Sequence, residues 1–470
     1  MVNNLDLAVM IFYLLLLVTI GVISIRRIKS QKEFLIAGSR LGYGLYVPAM
    51  AAVVLGGAST LGGSSLGYLY GISGMWLVVM IGLGILGMGV LFSKKLSAAN
   101  VYSVSELLGK RFGKESRSLS AVVMAVYDLM VAVTGIIAIG VVLSTLFGWS
   151  TTFAMVAGGV IVLLYTILGG MWAVTLTDVI QFWIMTVGLI FILLPTSIVE
   201  IGGVNSLIDK VDPSFLSLSN IGGSQIFSYF LLYFFGMMIG QDIWQRAFTA
   251  KSEKILKRGT ILAGLYCIIY AIAGAIIGMA ASVLLPNLND PQQAIPELAV
   301  HFLPIGLVGL VIAAILSAVM STASGTIMAS ATILVNDLIL PYSRKELSDK
   351  SKLKLTRVVL LIVGILAILI SVWLKNIVVA LDVAYALLSG SIFLPVLAAF
   401  FWKRVTSKIV LFSMAISSFV VLLDLIIEGL SSLNAILFGI IASGISMLIG
   451  VIFFSSNPPD ENIEKKESIL

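Results

Sequence analysis

A single cysteine, Cys267, and a single histidine, His301, occur in the 470 residues. Cys267 lies inside an apolar run and His301 in an expected loop, so the sequence offers no internal disulfide, no His/Cys metal cluster and no Cys/His nucleophile pair. Charge is scarce too: Asp, Glu, Lys and Arg make up 11% of the chain, against roughly 25% in soluble domains. What fills the sequence instead is apolar residues, 59% of the total. Apolar stretches near or above the roughly 20 residues needed to cross a bilayer as helix follow one another from Leu5 to Phe454, and no soluble domain of any size is left over. The chain reads as an all-α, polytopic membrane protein.

Breaks and hydropathy place about thirteen crossings, near residues 6–25, 44–70, 73–94, 118–147, 151–169, 172–195, 225–249, 259–285, 303–338, 356–374, 378–402, 407–427 and 432–454. The first is followed by Arg26, Arg27 and Lys29 without a small-residue cleavage site, so it is expected to be a retained helix and not a signal peptide. With the N-terminus outside, the loops at 26–40, 94–117, 246–258, 341–357 and 403–408 are cytoplasmic and hold nearly all the Lys and Arg; Lys210 and Lys375 fall outside. This bias predicts N-out and C-in in the cell membrane, and it accounts for a net charge of +6 through lipid-facing loops, without nucleic acid. The tail 455–470, with Pro458-Pro459 and Glu/Lys residues, reads as disordered and cytoplasmic.

Two crossings look discontinuous. Gly56-Gly57 and Gly62-Gly63 interrupt the second, and Gly236 and Gly240 precede the polar run Gln241-Asp242-Ile243-Trp244-Gln245-Arg246 in the seventh. Glycine in a helix costs about 1 kcal/mol relative to alanine, so both stretches unwind easily. Broken helices at matching places five crossings apart point to a secondary transporter built from inverted repeats; close packing of continuous helices through small residues is the alternative. Asp128, Asp178, Asp242 and Asp382 also sit at membrane depth and must face the interior. Asp178 and Gln181 share a helix face, whereas Asp242 either serves the site or pairs with Arg246 four residues on.

Gly169-Gly170-Met171-Trp172-Ala173-Val174-Thr175-Leu176-Thr177-Asp178-Val179-Ile180-Gln181 resembles the signature of the sodium:solute symporter family. Further similarities follow in order: Phe34 to Ser39, Gly62 to Gly71, Ser105-Glu106 to Gly113, Gln241 to Arg246, Ala318 to Thr322, and Phe401-Trp402-Lys403-Arg404. The resemblance spans residues 7 to 454. It implies a LeuT-like core of two inverted five-helix repeats, here 44–195 and 225–402, preceded by one extra helix (6–25) and followed by two (407–454), in one transmembrane domain over 1–454. It implies sodium-coupled symport of a small organic solute, with sodium held by the carbonyls of Ala52, Leu55 and Ala318 and the hydroxyls of Ser321 and Thr322. Residues 318, 321 and 322 do share a helix face, as a small cage of oxygens for a hard cation requires. In some relatives a second sodium is bound through the position of Asp178 and two serines; Ser324 is present here but Gly325 replaces the other. The solute is expected near the bilayer midplane between the two breaks. Ser59 and Gln241 match contact positions of the family, with Thr60 beside them at the break, and polarity and depth add Asp128, Asp242 and Trp244.

Gly82-Leu83-Gly84-Ile85-Leu86-Gly87 fits a dinucleotide-binding pattern, but with no preceding strand it reads as helix packing. Residues 98–113 read as either a short interfacial helix or a loop. A sodium-independent or proton-coupled carrier of the same fold and a transporter-like sensory domain stay open as alternatives. An enzyme is not expected, because no catalytic pair stands out at depth.

Overall fold

The computed structural model describes residues 3–25, 31–99, 101–343, 348–402, 404–432 and 434–454. Arg26, Arg27, Lys29, Lys403 and the tail 455–470 lie outside the described residues. The rest is helical, its one β-bridge among the described residues joining Leu41 to Ala250. In chain order the main helices are α1 (Asn4–Ile25), α2 (Tyr43–Val54), α3 (Gly63–Tyr70), α4 (Trp76–Leu91), α5 (Val104–Phe112), α6 (Lys114–Phe147) and α7 (Thr151–Met185). They continue with α8 (Phe235–Ile239), α9 (Gln241–Ala247), α10 (Glu253–Leu284), α11 (Leu307–Ile333), α12 (Asp349–Leu374), α13 (Ile377–Phe401), α14 (Ser407–Ile427) and α15 (Asn434–Phe454). Among the described residues, ten runs are long and apolar enough to cross a membrane, eleven if the helix from Gly223 to Ile239 and α9, bent by 41° at Gly240, count as one. The segments expected at 151–169 and 172–195 are two helices that meet at Gly170, where the backbone leaves helical geometry (φ 54°). His301 closes the short helix Ala294–Phe302 and does not sit in a loop.

Helix α11 forms the centre, buried from Val311 to Ile333 and packed on α1, α2, α6 and α7. Helix α10 packs on α3 and α4, and α13 on α6. The outer helices α1, α12, α14 and α15 leave Phe12, Leu369, Phe419 and Ile452 exposed. Side chains of this kind face hydrocarbon, where apolar exposure has no water to oppose it. Gly82 to Gly87 lie within α4, Gly82 against α10 and Gly84 and Gly87 against residues 233–238, so the packing reading of that pattern holds.

Two local devices set the register of the core. Asp6 of α1 accepts the N–H groups of Gly306 and Gly309, each at 2.8 Å, satisfying donors that the start of α11 leaves unpaired and placing a negative charge at its positive end. The chain entering α2 is stitched to the chain leaving α9: Leu41 N–H donates to the Thr249 carbonyl and Lys251 N–H to the Leu41 carbonyl, both at 2.9 Å. Both discontinuous helices are thereby tied together at the end of the molecule that carries the basic loops.

Candidate functional site

Helix α2 stops at Val54, where Leu55 takes a non-helical ψ of 50°. The chain then bends and re-enters helix through a π turn, Ala58–Gly62. Glycine is required at the bend by close approach: a Cβ on Gly56 would overlap the Thr322 hydroxyl of α11, and one on Gly57 would lie 2.6 Å from the Ala138 Cβ. The Ala52 and Val53 carbonyls at the bend face α11. Ser321 donates to the Ala52 carbonyl at 2.9 Å and to the Ala318 carbonyl at 3.0 Å, and Thr322 donates to the Val53 carbonyl at 2.6 Å. The Leu55 carbonyl accepts from Thr60 at 3.3 Å. Ala52, Ala318, Ser321 and Thr322 are thus brought together and buried, whereas the Leu55 carbonyl is turned to Thr60. Val53 joins them, an oxygen that sequence reasoning missed. Every donor atom is a neutral oxygen, and no cluster of three or more acidic, His or Cys side chains that could hold a metal occurs among the described residues. Such a set suits a hard monovalent cation.

One turn further along α11 the environment is ionic. Arg246 of α9 donates from Nη2 to Asp178 of α7 at 3.3 Å, and both side chains are fully buried. The guanidinium lies where a side chain at Gly325 would otherwise be. The alternative pairing of Arg246 with Asp242 inside α9 is therefore not the one formed. Asp242, in the first turn, instead accepts from the Tyr127 hydroxyl at 3.1 Å. Ser324 donates to the Ser321 carbonyl at 3.1 Å, and Gln181 donates to the Tyr13 hydroxyl at 3.2 Å.

The expected solute residues divide. Ser59 (donating to the Val54 carbonyl at 2.6 Å) and Asp242 line a small cavity at the break, together with Thr134, Met237, Leu381 and Tyr385. Its volume of ≈ 20 Å³ holds about one water, so the walls are closed on each other in this conformation. Asp128 is fully buried beside the Asp242 backbone N–H and does not line the cavity. Thr60 turns to the Tyr270 hydroxyl at 2.8 Å. Trp244 donates to the Met238 carbonyl at 2.9 Å and stacks on Phe400, away from the cavity. Gln241 reaches the other way, accepting from Val104 N–H at 2.9 Å and donating to the Tyr102 carbonyl at 3.1 Å.

Above the cavity, at the end opposite the basic loops, a vestibule of ≈ 370 Å³ is lined by Tyr70, Tyr229, Asp290, Gln292, Asn376 and Asp382 among others. Tyrosines link the two spaces: Tyr233 donates to Asp382, its ring meets that of Tyr385 at 5.1 Å, and the Tyr385 and Tyr127 hydroxyls are 2.8 Å apart. Sequence reasoning missed these tyrosines, although Tyr127 beside Asp128 and Tyr385 one turn after Asp382 carried the signal. At the basic end the path is shut. Helix α5 is capped by Ser103, which accepts from Glu106 N–H at 2.9 Å, and Val104, Leu107 and Leu108 are buried, so the segment 98–113 contains a docked helix. Ser103 also donates to Asp337 at 2.6 Å, and Arg117 pairs with Asp337 at 2.7 Å.

Interrupted helices around a cage of neutral oxygens, open toward one end of a membrane-spanning bundle and locked at the other, define a secondary transporter. The sodium:solute symporter family matches residues 34–417, and the chain belongs to that family. It is 29% identical over 466 residues to the high-affinity proline transporter PutP of Bacillus subtilis, covering 93% of this chain and 94% of that one. It is 27% identical to the sodium/pantothenate symporter of Haemophilus influenzae, covering 83% and 85%. A solved Na+-coupled sialic acid symporter has the same fold, with a TM-score of 0.84 at 21% identity over 98% of this chain and 99% of that one. The protein is a multi-pass, sodium-coupled symporter of a small solute with the LeuT-like fold, and not an enzyme.

Proposed function

We propose that the driving sodium is held between α2 and α11 by the carbonyls of Ala52, Val53, Leu55 and Ala318 and the hydroxyls of Ser321 and Thr322, and that the solute binds beside it in the cavity under Tyr385. The observation that carries this reading is the convergence of the Ser321 and Thr322 hydroxyls on the Ala52 and Val53 carbonyls, at 2.9 and 2.6 Å, across a break in the facing helix. Rotating each hydroxyl hydrogen away leaves its oxygen lone pairs and the freed carbonyls directed at a common point. One sodium moves per cycle. Asp178, which family resemblance makes a ligand of a second ion together with Ser324, already faces the Arg246 cation, and the guanidinium fills the space beside Gly325.

The N-terminus is outside and the C-terminus inside the plasma membrane, on the strength of the basic loops. The vestibule then faces the exterior and the Arg117–Asp337 lock the cytoplasm. The two repeats are 44–195 and 225–402, each beginning with its broken helix, within one domain over 1–454. Ser59 and Asp242 touch the solute directly, Asp128 and Thr60 stand behind them, and Gln241 and Trp244 contribute only after the cytoplasmic end opens. Relatives are named for proline, glucose and pantothenate, so the cargo here is a small organic solute.

Apparent melting temperature in sodium against potassium tests the cage without knowledge of the solute, because an ion that binds the folded state raises it. Wild-type protein should be stabilised by sodium with a Hill slope of one, and Ser321→Ala should lose most of that response. Equal stabilisation by potassium, or a slope near two, overturns the reading.

A further inference from the structure

We propose that the cleft between α14 and α15 is a binding site for an anionic phospholipid, with the phosphate at Lys408 and one acyl chain laid between the two helices. Helices α14 and α15 pack on each other and on α13. Their crossing leaves a cleft of ≈ 690 Å³, within the range of about 300–1,000 Å³ usual for sites that take small molecules. Ala442, Ser446 and Gly450 line it at every fourth position of α15, hence on one face. These small residues give the cleft its depth, and at Gly450 the helices close so far that a Cβ would lie 2.6 Å from Ile409. Phe412 of α14 and Ile445 of α15 stand exposed on either side.

Polarity along the cleft runs one way. Thr406 and Lys408 line the end at the start of α14, and toward Ile416 and Ala442 the lining is apolar. Ser446 turns its hydroxyl to the Ser443 carbonyl at 2.9 Å, so it presents no open donor to a chain of methylenes. Lys408 is exposed and makes no ion pair among the described residues, and no acidic side chain lines the cleft. The helix adds to the positive potential there. The Thr406 side chain does not cap α14, and the first turn holds no acidic residue, which leaves open N–H groups and the positive end of the helix dipole beside the Lys408 charge. An anion at that point satisfies the N–H groups and offsets both charges.

Length selects a lipid over a larger occupant. From Lys408 to Ile416, α14 rises about 12 Å, whereas one leaflet of the hydrocarbon core is about 15 Å thick. The cleft thus starts at the charged end of the helix and stops near mid-membrane, the reach of an acyl chain whose headgroup stays at the interface. A spanning helix of a second copy needs a face through the full thickness of about 30 Å. Residues 455–470, which follow α15, are largely polar and charged and do not match an apolar cleft. On the orientation argued above, the headgroup lies in the cytoplasmic leaflet, whose anionic lipids are drawn to basic side chains at the surface.

The full chain in detergent, where membrane orientation plays no part, is titrated with phosphatidylglycerol or phosphatidylcholine of the same acyl chains, and retained lipid is read by native mass spectrometry. One phosphatidylglycerol per chain should be held more tightly than phosphatidylcholine. Lys408→Gln should weaken that retention about fivefold, the effect of one basic residue beside an anionic headgroup, while Lys408→Arg keeps it. Ala442→Phe, which fills the cleft, should abolish the preference for phosphatidylglycerol. Where Ala442→Phe does not fold, Lys408→Gln, at an exposed position, carries the test alone. The proposal is overturned if the two lipids are held alike, if Lys408→Gln or folded Ala442→Phe retains phosphatidylglycerol as wild type does, or if wild type is a dimer that Ala442→Phe converts to monomer, which would give the cleft to a second copy of the chain.

Discussion

In the proposed ion site, two consecutive positions of α11 supply the side-chain oxygens. If each of Ser321 and Thr322 supplies one oxygen of that set, removing either should weaken sodium binding by about an order of magnitude, the scale of one lost polar contact of about 1.4 kcal/mol. By linkage the solute's apparent affinity should fall as well, and high sodium should restore it. Uptake measured against sodium concentration checks this in Ser321→Ala and Thr322→Ala; an unchanged sodium dependence removes both from the site. Asp178 plays a different part. Replacing it with Asn leaves the Arg246 charge buried without its partner, a loss of about 3–5 kcal/mol, whereas removing both charges with apolar residues of similar volume is often nearly neutral. Asp178→Asn should therefore melt well below wild type and the double variant Asp178→Asn/Arg246→Met should recover most of the difference. A double variant no more stable than the single one would show that Asp178 acts through something other than this pair.

At the scale of the element, the interruption between α2 and α3 makes the cage possible, because an intact helix would spend its carbonyls on its own hydrogen bonds. Gly57→Leu favours continuous helix and drives a side chain into Ala138 and the Thr134 carbonyl. The variant should reach the membrane and transport nothing. Normal uptake would mean that the glycines serve packing alone. The second interruption, at Gly240, has a less symmetrical role: it turns Asp242 toward Tyr127 while Gln241 hooks onto the start of α5. One short helix thus touches both the solute cavity and the lock.

For the whole molecule, the structure is one state of a cycle, with a vestibule at one end and the Arg117–Asp337 pair, Gln241 and Ser103 holding the other end shut. Loosening that end should shift the population toward the opposite state, since alternating access needs the two ends to open in turn. With Cys267→Ser as background and Ser65→Cys as a probe in the vestibule, thiol labelling should slow several-fold when Arg117→Ala is added. Labelling at the same rate would show that the ion pair does not govern the balance.

Much of this was legible in the chain itself. Apolar run lengths gave a polytopic helical protein, since a bilayer admits little else. Paired glycines gave the break at residues 55–57, and the i, i+3, i+4 spacing of Ala318, Ser321 and Thr322 gave one face of the cage. All of these are local, read from neighbours within a turn or two. Partnerships across the bundle were not legible, because no periodicity says which helix a side chain will meet. Asp242 and Arg246 stand one turn apart in sequence, yet α6 presents Tyr127 to the first and α7 presents Asp178 to the second. Gln241 matched a solute contact by position and is held by α5. The charges at depth were determined by sequence, and only the packing of α6, α7 and α9 decided that Arg246 would pair with Asp178 and not with Asp242, because a guanidinium pairs with the carboxylate that the fold brings within reach.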